Sequence, residues 1–260
     1  MTHAVEKGNL PDQAELVLLG QRYASLLDDP LRKLGVSPLY VPDNPMVDQR
    51  LSGHADLSVF HPGGDTLYLA PYYRGSSLHE SLLANGFRCL FPEWEQGPAY
   101  PYDAALNACV MGDAFLYNPG VTAPEIVSTF DSGRFRMIPV RQGYVKCSVC
   151  VLDDSSLITS DAGIAAAARE KGLNVLQIRP GYVRLDGYPY GFIGGAAFKA
   201  SHDLMFFTGS LYLLPEREQI LCFLEEHGIR PVYLTDLPLF DVGSILPITE
   251  NLSALVENSQ

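Results

Sequence analysis

Residues 144–178 read YVKCSVCVL, DDSS, LITSD, AGIAAAAREKG and LNVLQI in succession, and this stretch decides the fold. The first piece is apolar and Val-rich and reads as a strand, DDSS reads as a turn, and LITSD reads as a second strand. The alanine-rich piece ending at Gly172 has the composition and the stop signal of a helix, and LNVLQI is a third strand. A second copy follows Gly53 as HADLSVF, PGGD, TLYLAP, SSLHESLLANG and FRCLF. The unit returns roughly every 40–45 residues, and repetition at that period builds arrays whose units bury their apolar faces on one another.

Aligned on these copies, leading strands are expected at residues 54–60, 105–111, 145–151 and 194–199. Second strands follow at 66–70, 114–118, 157–160 and 204–208, helices at 77–85, 123–132, 162–171 and 215–227, and third strands at 88–91, 135–140, 174–178 and 231–234. The ends supply two fragments. Residues 15–41 read as strand, helix and strand without a leading strand, and residues 242–248 read as a lone strand followed by a short helical tail. Joined, they complete a fifth unit, and such closure removes the free sheet edges of an open array. The Pro-, Gly- and Tyr-rich stretches at 42–45, 95–102, 179–190 and 235–239 are connections between units, and no low-complexity linker divides the chain. The expected fold class is α/β, a five-bladed β/α-propeller spanning residues 1–260 as a single domain. The C-terminal strand seals it by pairing with the N-terminal unit.

Composition narrows the function classes. A hydrophobic share of 47% against 18% charged residues describes a compact globule rather than a disordered chain. A formal charge of −12, without any run of Lys and Arg, argues against nucleic acid as a partner. No apolar stretch approaches the ~20 residues needed to cross a bilayer. The first residues lack a basic segment followed by an apolar core, so no secretory signal is expected. Five cysteines within apolar segments suit a reducing compartment, and a cytoplasmic location is expected. The expected partner is a small-molecule ligand, and a homodimer is compatible with the sequence.

His54 and Asp56 stand two apart on an expected strand and so share a face. If the leading strands line the centre of a ring, both side chains enter a central cavity. Cys147 occupies the unit position equivalent to Asp56, so His54, Asp56 and Cys147 form a candidate catalytic set. Candidate ligand contacts are Tyr144 and Lys146, which alternate with Val145; Asn107 in the second leading strand; and Asp241 and Ser244 beside the closing strand. The connections concentrate Trp94, Tyr100, Tyr102, Tyr182, Tyr188 and Tyr190 with Glu93, Glu95, Arg184 and Asp186. Trp94 and Arg184 are taken from this group as further ligand contacts, because aromatic faces with carboxylates suit an organic cation. Cys147 and Cys150 are spaced C-x-x-C, but on a strand they point to opposite faces, so neither a redox pair nor a metal clip follows. Cys89, Cys109 and Cys222 are expected in the core. No phosphate-binding glycine motif occurs, and His3, His61, His79, His202 and His227 lack metal-ligand spacing, so neither cofactor nor zinc is expected.

The unit pattern over about residues 15–250 resembles the pentein fold, the β/α-propeller of arginine and agmatine deiminases, dimethylargininase, amidinotransferases and a ribosome-associated initiation factor. SGHADLSVF at 52–60 is similar to the Gly-His-x-Asp strand motif of agmatine deiminases. GYVKCSVCVLDDSSLITSD at 143–161 is similar to the penultimate blade of dimethylargininase, and PVYLTDLPLFDVGSILPI at 231–248 has the layout of its final strand. The resemblance implies attack of a Cys on a guanidinium carbon, a His that moves protons and carboxylates that hold the cation. It also implies a nucleophile on the closing strand and a catalytic His early in the fourth leading strand. Here Gly243 or Ser244 falls near the first place and Tyr144 at the second. The alternatives left open are a ligand-binding relative without the usual triad, and an enzyme on guanidino or amidino compounds with Cys147 as a displaced nucleophile.

Overall fold

The computed structural model describes residues 2–251. Among these residues the strands form five small sheets, none closed on itself. Four sheets follow one plan, in which a short strand pairs antiparallel with a second, and the second pairs parallel with a third after a helical crossover. They comprise Val59–Phe60, Thr66–Leu69 and Arg88–Leu90; Cys109–Met111, Ala114–Tyr117 and Arg136–Pro139; Val149–Val151, Ser156–Thr159 and Asn174–Gln177; and Ala197–Ser201, Leu204–Phe207 and Arg230–Tyr233. Helices, second strands and third strands begin and end within two residues of the sequence expectation. The local chemistry explains this. Asp161 caps the helix Ala162–Glu170, its Oδ1 accepting the Ile164 N–H at 2.8 Å, and Ile164, Ala165 and Ala168 form its buried face.

The remaining sheet joins the two ends of the chain. Leu246–Asn251 pairs antiparallel with Ala14–Gly20, which pairs parallel with Ser37–Val41, and Thr2–Ala4 adds an outer strand that the repeat did not foreshadow. The final strand is therefore displaced from the expected 242–248. Residues 249–251 continue it, and the rest of the expected helical tail lies outside the described residues. Glu250 clasps this seam. It is buried, its Oε1 accepts the Glu6 N–H at 3.0 Å, and its Oε2 accepts the Asp12 N–H at 2.6 Å. Glu250→Ala is expected to cost about 2–4 kcal/mol, because two charge-assisted bonds vanish and their donors stay partly buried. Urea denaturation measures this; a loss below about 0.5 kcal/mol would refute the clasp.

The leading segments depart from expectation. Residues 54–60 form a 3₁₀ turn, Ala55–Leu57, before the two-residue strand Val59–Phe60. Residues 145–151 form a helical turn, Val145–Ser148, before Val149–Val151. Within 105–111 only Cys109–Met111 is strand, and the fourth leading strand shifts to Ala197–Ser201. The cause is the destination of their backbone hydrogen bonds. Asp56 N donates to Gly243 O at 3.0 Å, Val145 N to Asn107 O at 3.1 Å, Gly195 N to Cys147 O at 2.9 Å and Ser244 N to Gly195 O at 3.1 Å. Asn107 Nδ2 completes the circuit by donating to Asp56 O at 3.2 Å. Groups committed across units cannot also serve a strand ladder, so each segment turns where they meet.

Candidate functional site

Where those five segments meet, His54, Asp56 and Cys147 come together although 91 residues separate Cys147 from Asp56. One donor atom from each lies within 4.8 Å of the others. The reason is not the expected one. Asp56 sits in a 3₁₀ turn and Cys147 in a helical turn, so the shared-face argument for His54 and Asp56 and the opposite-face argument for Cys147 and Cys150 both lose their premise. Cys147 points to the meeting point, whereas Cys150 packs in the core beside Ile158, Ala197 and Met205.

Cys147 Sγ donates to Asp56 Oδ2 at 2.9 Å, and Asn107 Nδ2 lies 3.4 Å from the sulfur. Asn107 Oδ1 also accepts the Cys147 N–H at 3.2 Å, so this turn residue holds the thiol's backbone and its side chain. Ser244 Oγ donates to the same Asp56 oxygen at 2.6 Å and accepts from Lys146 Nζ at 3.2 Å. Ser244 adopts a left-handed backbone, φ 65°, which is uncommon for a residue with a side chain and aims its hydroxyl inward. Lys146 also donates to Gly194 O at 3.3 Å. Asn107, Lys146 and Ser244 are fully or almost fully buried and lie beneath the site rather than on its open face.

The open face is a cavity of about 240 Å³ lined by His54 and Cys147, by Leu51 and Leu57, by Tyr144, Tyr188, Tyr190 and Phe192, and by Asp241. A second cavity, of about 290 Å³, shares Leu185 and Asp241 with it and carries Arg22, Arg50 and Arg184. Asp241 thus stands between the two. Its Oδ1 accepts the Gly243 N–H at 2.8 Å and its Oδ2 accepts the Phe192 N–H at 2.9 Å.

Burial dominates the electrostatics. It lowers His54 to about 4, against a smaller upward pull from Asp56, so the imidazole is neutral near pH 7. It raises Asp241 to about 6, with the two backbone N–H groups pulling down. It raises Asp56, and it raises the Cys147 thiol well above the usual range with Asp56 and Asp241 adding to the effect. The resting site therefore holds a neutral thiol and a neutral imidazole beside the carboxyl groups of Asp56 and Asp241. Such a set can accept a cation, and a cation would in turn favour the thiolate.

Other expected contacts divide. The alternation of Tyr144 and Lys146 fails, because their segment is helical: Lys146 turns to Ser244, while Tyr144 lines the cavity and donates to Asp103 Oδ2 at 2.8 Å. Trp94 stays away from the cavity, packing on the core around Phe60 and donating from Nε1 to Tyr102 O at 3.0 Å. Arg184 lines the neighbouring cavity rather than this one. Cys222 is exposed and Cys89 half-buried, not core residues as expected; Cys109 is buried. Reading the sequence also missed Asp103, which is buried behind Tyr144, and Phe192 in the cavity wall. Both lie just beyond the connections 95–102 and 179–190, and only their aromatic neighbours hinted at a role.

A family model described as a family of unknown function, DUF6873, matches residues 18–246. No curated protein sequence matches the chain. Solved structures do. The SxtG amidinotransferase of the saxitoxin pathway from Microseira wollei aligns at TM-score 0.52 and 11% identity, covering 88% of this chain and 91% of that one. DDAH from Pseudomonas aeruginosa, in a complex with citrulline, aligns at 0.54 and 11%, covering 85% and 92%. The agmatine deiminase of C. jejuni aligns at 0.54 and 9%, covering 90% of each chain. The mixed α/β fold with several small sheets is thus the fold of the pentein superfamily, as the unit pattern suggested.

Proposed function

The chain belongs to the DUF6873 family, and from that premise and the pentein fold we propose that it binds a small organic cation, an amine or a guanidinium on an apolar body, in the 240 Å³ cavity. One observation carries the reading: a buried carboxylate, Asp241, borders a wall that is aromatic and aliphatic apart from His54 and Cys147. Such a wall offers ring faces to a cation and apolar surface to its body, and the carboxylate supplies a charge-assisted hydrogen bond. The same reading takes the five sheets as five blades of one propeller domain about the site. The circuit of hydrogen bonds through Asp56, Asn107, Cys147, Gly195 and Gly243 supports it.

The test needs no variant. An alkylguanidine and the alkylurea of the same chain differ chiefly in charge, and both are titrated calorimetrically in the presence of a chelator. The guanidine is expected to bind at least about tenfold more tightly, since one charge-assisted bond is worth about 1.5–3 kcal/mol and 1.4 kcal/mol is a factor of ten. Equal affinities, or binding by neither, sink the proposal.

The contact between Cys147 and Asp56 beside His54 favours a second reading, in which the cation is a substrate. The Cys147 sulfur would bond to the guanidinium carbon while its proton passes to neutral His54, and the leaving amine would depart with that proton. Water would then cleave the carbon–sulfur bond and restore the thiol. This reading expects release of amine or ammonia from the alkylguanidine, abolished in Cys147→Ser. Absence of release on prolonged incubation with the wild-type chain defeats catalysis and leaves binding.

A further inference from the structure

We propose that His54, Asp56 and Cys147 also form a site for a thiophilic divalent cation of the zinc class, with an open coordination position facing the cavity. Zinc was not expected because His3, His61, His79, His202 and His227 lack metal-ligand spacing. His54, Asp56 and Cys147 instead come from two turns far apart in the chain, so no linear motif could announce them.

Four observations carry the inference. The three donor atoms lie within 4.8 Å of one another. Bonds of ~2.0–2.3 Å in a tetrahedral site place ligand atoms ~3.3–3.8 Å apart, so shifts of about 1 Å or less close the set around an ion. The donors, one sulfur, one imidazole nitrogen and one carboxylate oxygen, suit zinc-like ions and are a poor match for Mg²⁺ or Ca²⁺. Two atoms of these residues, His54 Nε2 and Asp56 Oδ1, are buried with no hydrogen-bond partner, as atoms that await a ligand would be.

The contacts that support the ligands are the fourth observation. Asn107 and Ser244 already hold the sulfur and the carboxylate in place, at 3.4 Å and 2.6 Å, as outer partners of metal ligands do. Because His54 and Cys147 line the cavity, the fourth position opens there. Binding forms a sulfur–metal bond and releases the thiol proton to solvent. The site goes beyond organic-cation binding and does not depend on it.

The experiment titrates Co²⁺ into chelator-treated full-length protein carrying Cys222→Ser, which removes the exposed thiol. One equivalent is expected to bind, with the visible bands of a tetrahedral ion and a thiolate-to-cobalt charge-transfer band, and Zn²⁺ should displace it. Cys147→Ser should abolish the charge-transfer band, and His54→Gln should weaken binding at least about tenfold. A measurement without site variants stands beside these: Zn²⁺ should protect Cys147 from iodoacetamide in mass-mapped protein unfolded just enough to expose it. Lack of stoichiometric binding, a charge-transfer band that survives Cys147→Ser, or alkylation indifferent to Zn²⁺ overturns the assignment. The calorimetric comparison of guanidine and urea runs in chelator, so either proposal can fail alone.

Discussion

Gly243→Ala is expected to destabilise the protein by about 2–5 kcal/mol or to prevent folding altogether. A Cβ at Gly243 would lie 2.1 Å from His54 Cβ, 2.2 Å from His54 Cγ and 2.3 Å from His54 Cα. These atoms sit at or next to the backbone, and His54 is fully enclosed, so the overlap cannot be relieved by a flexible side-chain tip. The residue also has φ 68° and precedes Ser244 at φ 65°. The left-handed backbone alone costs about 1–2 kcal/mol for alanine, and overpacking adds about 1–3 kcal/mol or more. Gly172→Ala separates the two effects. Gly172 has φ 79°, and a Cβ there meets nothing within 4 Å, so only the smaller cost of about 1–2 kcal/mol is expected. Chemical denaturation of both variants decides the matter. If Gly243→Ala is no worse than Gly172→Ala, the crossing of the two chain segments beside His54 is not packed as described.

The same crossing explains what the sequence made legible and what it concealed. Helices and the second and third strands of each unit were readable because each obeys a local rule: Asp161 caps, Gly172 stops, and the apolar period turns one face inward. The leading segments were not. HADLSVF and YVKCSVCVL are apolar runs whose residues are buried almost throughout, and in such runs periodicity cannot tell a strand from a helical turn. Their conformation is fixed by bonds to other units, such as Asp56 N to Gly243 O, which no local window contains. Unit alignment still brought Cys147 to Asp56, because equivalent positions in a repeat face a common point even when their secondary structure is misread. The concentration of aromatic residues in the connections misled for Trp94, whose indole packs on the core. Alternation about Val145 could not separate Lys146, which supports the site from below, from Tyr144, which borders the cavity.

The pH dependence of stability should expose His54 directly. Its folded value is about 4, against about 6.5 for an ordinary histidine. Between these values the unfolded chain binds a proton that the folded chain refuses, so stability rises with pH across this window. The contribution is complete above about pH 6.5 and is lost as the pH falls to about 4; at ~1.4 kcal/mol per unit it amounts to about 3 kcal/mol. Asp241 works in the opposite sense. Raised to about 6, it holds a proton that the unfolded state has released, so its effect favours the fold at low pH and fades as the pH rises through 6. The two slopes offset one another, and the wild-type profile alone would hide both. The difference in unfolding free energy between wild type and His54→Gln removes the Asp241 contribution to first order. That difference is expected to shift by about 3 kcal/mol towards the variant between pH 7.5 and pH 4. A flat difference would mean that His54 keeps ready access to water or to a proton-sharing partner. The neutral imidazole required both for accepting the thiol proton and for ligating a metal would then have no basis in its burial.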